Sequence, residues 1–202
     1  MDRLNTLLRR LPTWPVWLAG VLPLVWLIWA AVVGGLGVDP VKEIEKSLGL
    51  WALQFLLASL CVTPLRWAGL NLIRFRRALG VTAFLYAALH FVAWLGLDMA
   101  LRWEEIGRDL VKRPYIIVGM VGLLAMIPLA LTSTDSAIRR LGGAKWRKLH
   151  RLAYVAGLAG ALHFTILVKS WPLEPLIYLG AVTAALLARV LRPRLKAFRT
   201  AT

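Results

Sequence analysis

Six long stretches of this chain carry almost no charge: residues 14–39, 47–65, 78–97, 115–135, 152–168 and 171–188. Most approach or exceed the roughly 20 residues that cross about 30 Å of hydrocarbon at about 1.5 Å per residue. One such run would suit a buried helix of a soluble core, but six of them in 202 residues have no common soluble core to share. The pattern predicts an all-α integral membrane protein: one domain with helices near 14–34, 48–67, 78–97, 115–131, 145–169 and 173–191. The punctuation agrees. Gly34, Gly35, Gly37 and Pro40 close the first helix and open a loop, and Pro64 lies near the end of the second. Pro114 starts the fourth, where a proline costs no helical hydrogen bond. Thr132, Ser133, Thr134 and Asp135 are capping residues, Gly142 and Gly143 break the chain before the fifth helix, and Pro172 and Pro175 open the sixth, which is expected to stop before Pro193. Between the third and fourth helices, residues 98–113 mix charges with Trp103, Ile106 and Leu110 at helical spacing. That pattern predicts an amphipathic helix on the membrane surface, with a plain solvated loop as the alternative.

Composition strengthens the membrane assignment. Hydrophobic residues make up 59% of the chain and charged residues 17%, against about half and a quarter in soluble domains. The net charge of +15 would suggest nucleic acid in a soluble protein, but its distribution points elsewhere. If every run spans the membrane, the side bearing the N-terminus holds eighteen of the 25 basic residues, from Arg3 to Arg199, against Asp2 and Asp135 alone. The other side holds the remaining seven bases and eight acids. The positive-inside rule reads this as both termini in the cytoplasm. The basic start followed by an apolar stretch imitates a signal peptide, but the stretch is too long for one and is expected to be a retained helix. Cys61 is the only cysteine, which excludes an internal disulfide and a thiolate-held cluster. Trp14, Trp67 and Trp146 near one interface and Trp51, Trp94, Trp103 and Trp171 near the other form an aromatic belt.

The three histidines are the candidate chemistry. Ionisable side chains are costly in hydrocarbon and are functional candidates by default. His90 lies deep in the third predicted helix and His163 deep in the fifth, and both helices run in the same direction. At about 1.5 Å per residue the two imidazoles reach the same depth, toward the side away from the termini. Two imidazoles at one depth on neighbouring helices suit the two faces of one iron, and haem is the metal group whose apolar macrocycle fits a lipid-embedded bundle. Ala83, Ala87 and Ala93 near His90, and Ala156, Ala159 and Gly160 near His163, leave room for a flat ring; small residues also serve plain helix packing in membranes. His150 lies thirteen residues before His163, about 20 Å along a helix, at the basic interface. The residue at its depth in the third helix is Arg77. Four roles stay open for His150: ligand of a second haem, partner of a haem propionate, contact for a quinone headgroup, or an interfacial histidine without a cofactor. Arg74, Arg77 and Arg151 lie near the same depth, where a guanidinium fork would pair with propionates or a headgroup, or only set topology.

The run Arg76-Arg77-Ala78-Leu79-Gly80 leading to His90 resembles the third helix of the ferric-reductase-like transmembrane domain. So do Leu131-Thr132-Ser133, then Trp146 with Leu149-His150-Arg151-Leu152 and Tyr154, then His163-Phe164 and Lys169. Within that superfamily the chain is most similar to the haem-binding MsrQ (YedZ) subunits of bacterial methionine sulfoxide reductase systems, over its whole length. The resemblance implies a multi-pass bacterial inner-membrane protein. It would pass electrons from the quinone pool through b-type haem, one or two per chain, to a periplasmic molybdopterin reductase of the MsrP kind, for repair of oxidised periplasmic proteins. It extends to FMN, for which the sequence carries no separate motif. It departs from the wider superfamily at Arg77, which stands where a fourth histidine is usual.

Two other readings compete. One is a transmembrane haem reductase fed by a separate cytoplasmic flavoprotein; the chain carries no dinucleotide-binding glycine loop of its own. The other is a non-redox transporter or assembly protein with structural or proton-relaying histidines. The electron-transfer reading makes the chain a redox subunit and not a sulfoxide reductase by itself.

Overall fold

The computed structural model describes residues 2–168 and 172–201, with the side chains of 2–4, 9 and 193–201 left aside. Among the described residues, ten α-helices run in the order α1 (Asp2–Arg10), α2 (Trp14–Val32), α3 (Pro40–Trp67), α4 (Arg76–Ala93), α5 (Trp103–Lys112), α6 (Pro114–Leu131), α7 (Asp135–Leu141), α8 (Gly143–Leu149), α9 (Leu152–Leu167) and α10 (Leu173–Ala201). A short 3₁₀ turn precedes α4, and a π-helical turn, Trp94–Asp98, follows it. Five helices are long and apolar enough to cross a membrane: α2, α3, α4 with its two flanking turns, α6, and α10 as far as Arg192. The helix expected as the remaining span, α9, has 16 residues, is not among these five, and covers only about 24 Å at 1.5 Å per residue. It is also lined with small residues, and Ala156, Gly157, Ala159, Ala161 and Thr165 are buried among α3, α6 and α10.

Two close helix pairs form the centre: α4 packs mainly on α3, and α9 mainly on α6. Ala83 and Ala156 join them, both fully buried in one cluster with Leu56 and Met126. The small residues in these helices thus let the backbones approach, as in other membrane bundles. Around the centre, Tyr86 donates to the carbonyl of Gly20 at 2.6 Å and ties α4 to α2. Gln54 donates to the Tyr178 hydroxyl at 2.7 Å and ties α3 to α10. Arg189 on α10 donates to the Leu60 carbonyl of α3 and lies over the Tyr154 ring of α9, 5.4 Å from its centre. Outward-facing side chains are apolar: Val21, Trp26 and Trp29 on α2, Val121 and Leu124 on α6, and Ile177 and Leu187 on α10 are all exposed. Continuous apolar surface of this extent requires a lipid environment.

The boundaries depart from the sequence reading in four places. Helix α1 precedes the first span; its Asn5 caps the turn after α3 from both sides, donating to Gly69 O at 2.7 Å and accepting from Asn71 N at 2.9 Å. Helix α3 begins at Pro40, eight residues before the expected start. Asp39 accepts from the Lys42 amide at 3.1 Å as its N-cap, and proline occupies the first turn, a start signal by itself. The expected helix at 145–169 is divided, because the chain turns at His150 and Arg151 between α8 and α9. Helix α10 continues through Pro193 to Ala201, although its apolar part ends at Arg192 as expected. The surface segment is helical as expected: Ile106 on α5 turns inward and is buried, while Trp103 and Val111 remain exposed. The sequence reading of Lys169 and Trp171 falls outside the described residues.

Candidate functional site

Helices α3 and α6 both start at the end of the bundle where α5 lies, and the histidines of α4 and α9 come back to that same end. His90 and His163 are brought together there, their ring centres 6.1 Å apart and their planes at 75°. Each ring is held through Nδ1 by a main-chain carbonyl of the helix it packs on. His90 Nδ1 is 2.8 Å from Glu45 O in the second turn of α3. His163 Nδ1 is 2.7 Å from Tyr115 O in the first turn of α6. A carbonyl only accepts, so Nδ1 carries the proton in both rings and Nε2 keeps its lone pair. Neither Nε2 has a hydrogen-bond partner among the described residues.

This arrangement fits an iron shared by two imidazoles. With metal–nitrogen bonds of about 2.0–2.1 Å, ring centres on opposite sides of an ion lie roughly 6 Å apart. Histidine ligands to metals characteristically donate their other N–H to a carbonyl or carboxylate, which fixes tautomer and orientation. Among the described residues, no group of three or more His, Cys, Asp or Glu side chains could hold a bare metal ion. A two-imidazole site therefore suits an iron whose remaining ligands come from a macrocycle.

The α5 end is also braced by charge. Lys42 bridges Asp98 at 2.7 Å and Glu45 at 3.4 Å, joining the start of α3 to the π-helical turn after α4. Those residues flank the Glu45 carbonyl that receives His90. A π-turn is a frequent mark of a functional position, and here it lies one turn beyond the histidine.

His150 lies at the opposite, basic end, between α8 and α9. Its Nε2 is 3.0 Å from Thr132 Oγ1 at the end of α6, and Trp146 stacks on its ring with centres 3.8 Å apart. Trp146 in turn donates to Thr132 O at 2.9 Å. Burial first, and then the nearby charge of Arg76, push the His150 imidazole down to about 4, so it is neutral at physiological pH. Of the three arginines singled out in the sequence, Arg77 is ion-paired with Asp135. Arg74 lies over the ring of its neighbour Phe75 at 5.8 Å, and Arg151 is exposed. Sequence reasoning missed the carbonyls of Glu45 and Tyr115, the Thr132–Trp146 frame around His150, and the Arg76 charge. Only the Asp39-Pro40 start of α3 offered a signal for the first of these, because it places Glu45 inside a helix.

Comparison with known proteins shows the family to which the chain belongs. Residues 46–161 match the family described as ferric reductase like transmembrane component, a stretch that contains His90 and His150 and ends just before His163. Relatives named protein-methionine-sulfoxide reductase heme-binding subunit MsrQ are similar over most of the chain. The protein from Brucella anthropi is 50% identical over 184 residues, 89% of this chain and 83% of the relative. That from Brucella ovis is 49% identical over 187 residues, 91% and 84% of the two chains. This chain is a multi-pass integral membrane protein that belongs to the MsrQ family, within the ferric-reductase-like transmembrane components.

Proposed function

We propose that the chain is the membrane electron-transfer subunit of a methionine sulfoxide reductase system. In this reading it holds b-type haem between His90 and His163 and carries electrons from quinol in the bacterial inner membrane to a periplasmic molybdopterin partner of the MsrP kind. The observation that carries the reading is the facing imidazole pair with both Nδ1 atoms committed to carbonyls and both Nε2 atoms free. The relatives' printed name, a haem-binding subunit, supports the group. When bound, haem supplies a one-electron carrier at low dielectric.

The residues do the rest. The Glu45 and Tyr115 carbonyls keep each ring in one tautomer and one orientation and raise its basicity. The lipid-facing apolar shell keeps water away from the pair. At the basic end, His150 with Arg74, Arg77 and Arg151 is proposed to receive the anionic edge of a second haem or the headgroup of a quinone. Both termini are placed in the cytoplasm on the charge asymmetry, which sets the His90–His163 pair toward the periplasm, beneath α5 and within reach of a docked partner.

The test is reconstitution. The purified chain, a reduced quinol and an MsrP-like partner should together reduce a methionine sulfoxide substrate, while the chain and quinol alone should not. Reduction of the chain's haem without turnover would make the partner wrong. A haem reduced by a soluble flavin reductase but never by quinol would move electron entry to the cytoplasmic side.

A further inference from the structure

Each histidine of the pair rests against a glycine. A Cβ built on Gly49 of α3 would lie 3.1 Å from His90 Nδ1 and 3.2 Å from its Cε1. A Cβ on Gly119 of α6 would lie 2.8 Å from His163 Nδ1 and 3.1 Å from its Cε1. Real side chains essentially never come closer than about 3 Å to such a neighbour, because the repulsive wall is steep. In both cases the glycine stands four residues after the carbonyl that takes the Nδ1 proton: Glu45 and Gly49, Tyr115 and Gly119. The coincidence has a geometric cause. Positions i and i+4 stack on one face of a helix, and the carbonyl of residue i points along the axis toward residue i+4. A ring edge that reaches this carbonyl from the side must lie over the Cα of residue i+4, where any Cβ would stand.

We propose that Gly49 and Gly119 are positioning residues for the His90–His163 pair: each glycine and the carbonyl four residues before it form a backbone socket that grips one imidazole by its Nδ1 edge and leaves Nε2 to the iron. The proposal rests on the haem reading given above. The same device occurs twice, once in each of the two central helix pairs, so the first helix of each pair carries the socket and the second carries the histidine. Other glycines at the helix interfaces meet different atoms. A Cβ on Gly157 would lie 2.8 Å from Leu60 Cδ1, and one on Gly122 would lie 3.4 Å from the Cβ of Ala159. These serve packing between apolar surfaces. Gly157 is the informative control, because its clash is as close as that of Gly119 but falls on a leucine tip.

The experiment compares purified full-length holoprotein carrying G49A, G119A or G157A with the parent, H90A and H163A. It reads haem content, the low-spin electron paramagnetic resonance signal and the midpoint potential, with helix content as the folding measure. G119A should lose most of the low-spin signal of the His90–His163 haem in favour of a high-spin form. G49A, with the wider approach, should stay six-coordinate but shift its g-values and raise its midpoint potential, because a weaker Nδ1–H bond makes the imidazole a poorer donor to ferric iron. G157A should keep the parent's g-values and potential. If G119A proves poorly inserted, the G49A shift alone decides. Parent-like spectra and potentials in both G49A and G119A, or equal changes in G157A, overturn the sockets while the haem reading stands on H90A and H163A. A six-coordinate spectrum retained in H90A and H163A overturns the haem reading and the sockets together.

Discussion

Thr132 Oγ1 lies 3.0 Å from His150 Nε2 and 2.6 Å from the carbonyl oxygen of Pro128. A hydroxyl has one proton, and the carbonyl takes it, so the imidazole donates from Nε2 and keeps its lone pair on Nδ1. His150 is thus held in the opposite tautomer to His90 and His163. The two ends of the bundle present different nitrogens.

The first prediction follows from that difference. His150→Ala should leave the low-spin signal of the His90–His163 haem unchanged and lower the haem-to-protein ratio only by the amount bound at the basic end. Thr132→Val, which removes the hydroxyl alone, should alter any signal that depends on His150 and no other. Visible spectra and haem assays on the two variants measure this. A parallel loss of the His90–His163 signal in H150A would mean that the ends are not independent.

The helical bundle and the pairing of His90 with His163 were legible in the sequence, because long apolar runs and rare intramembrane histidines stand out against their surroundings. What holds the histidines was not. Glu45 and Tyr115 act through main-chain carbonyls, which every residue has, and the charges of Lys42, Glu43 and Glu45 set Glu45 outside the apolar run that predicts the second span, masking the Asp39-Pro40 helix start. Trp146 carried the ordinary signal of an interfacial tryptophan, and its stacking on His150 depends on the turn between α8 and α9. That turn replaces a continuous helix and has no glycine or proline to announce it. Pro193 was expected to end α10, yet a proline removes only one hydrogen bond and the helix continues past it.

The second prediction concerns Arg77 and Asp135. The Arg77 guanidinium, by hydrogen bond and then by charge, holds the Asp135 carboxyl below the usual carboxylate range. A depressed carboxylate favours the folded arrangement above its unfolded value, and that contribution is lost only as pH falls through the lowered one, so the pair stays closed throughout the neutral range. Both side chains are substantially exposed, and neither substitution should impair insertion. Arg77→Gln should slow haem reduction by quinol several-fold. Asp135→Asn, which leaves the cation in place, should not. Stopped-flow reduction of both variants in the same liposomes distinguishes a required charge from a dispensable ion pair. Equal rates in R77Q and the parent would remove Arg77 from the account.

The third prediction is topology. If every apolar run spans the membrane, the side bearing the N-terminus carries eighteen of the 25 Lys and Arg residues of the sequence, which the positive-inside rule assigns to the cytoplasm. Reporter fusions after Thr202 should report the cytoplasm, and insertions in the exposed part of α5, near Val111, the periplasm. The reverse result would place the His90–His163 pair on the cytoplasmic side, away from a periplasmic partner.

In the proposed function, His90 and His163 together hold one haem iron. The most direct measurement is the low-temperature electron paramagnetic resonance spectrum of the purified holoprotein beside H90A and H163A. The account predicts a low-spin bis-imidazole signal in the parent and its loss in each variant alone, since removing either ring leaves the iron five-coordinate. A full low-spin signal surviving in either variant would contradict it.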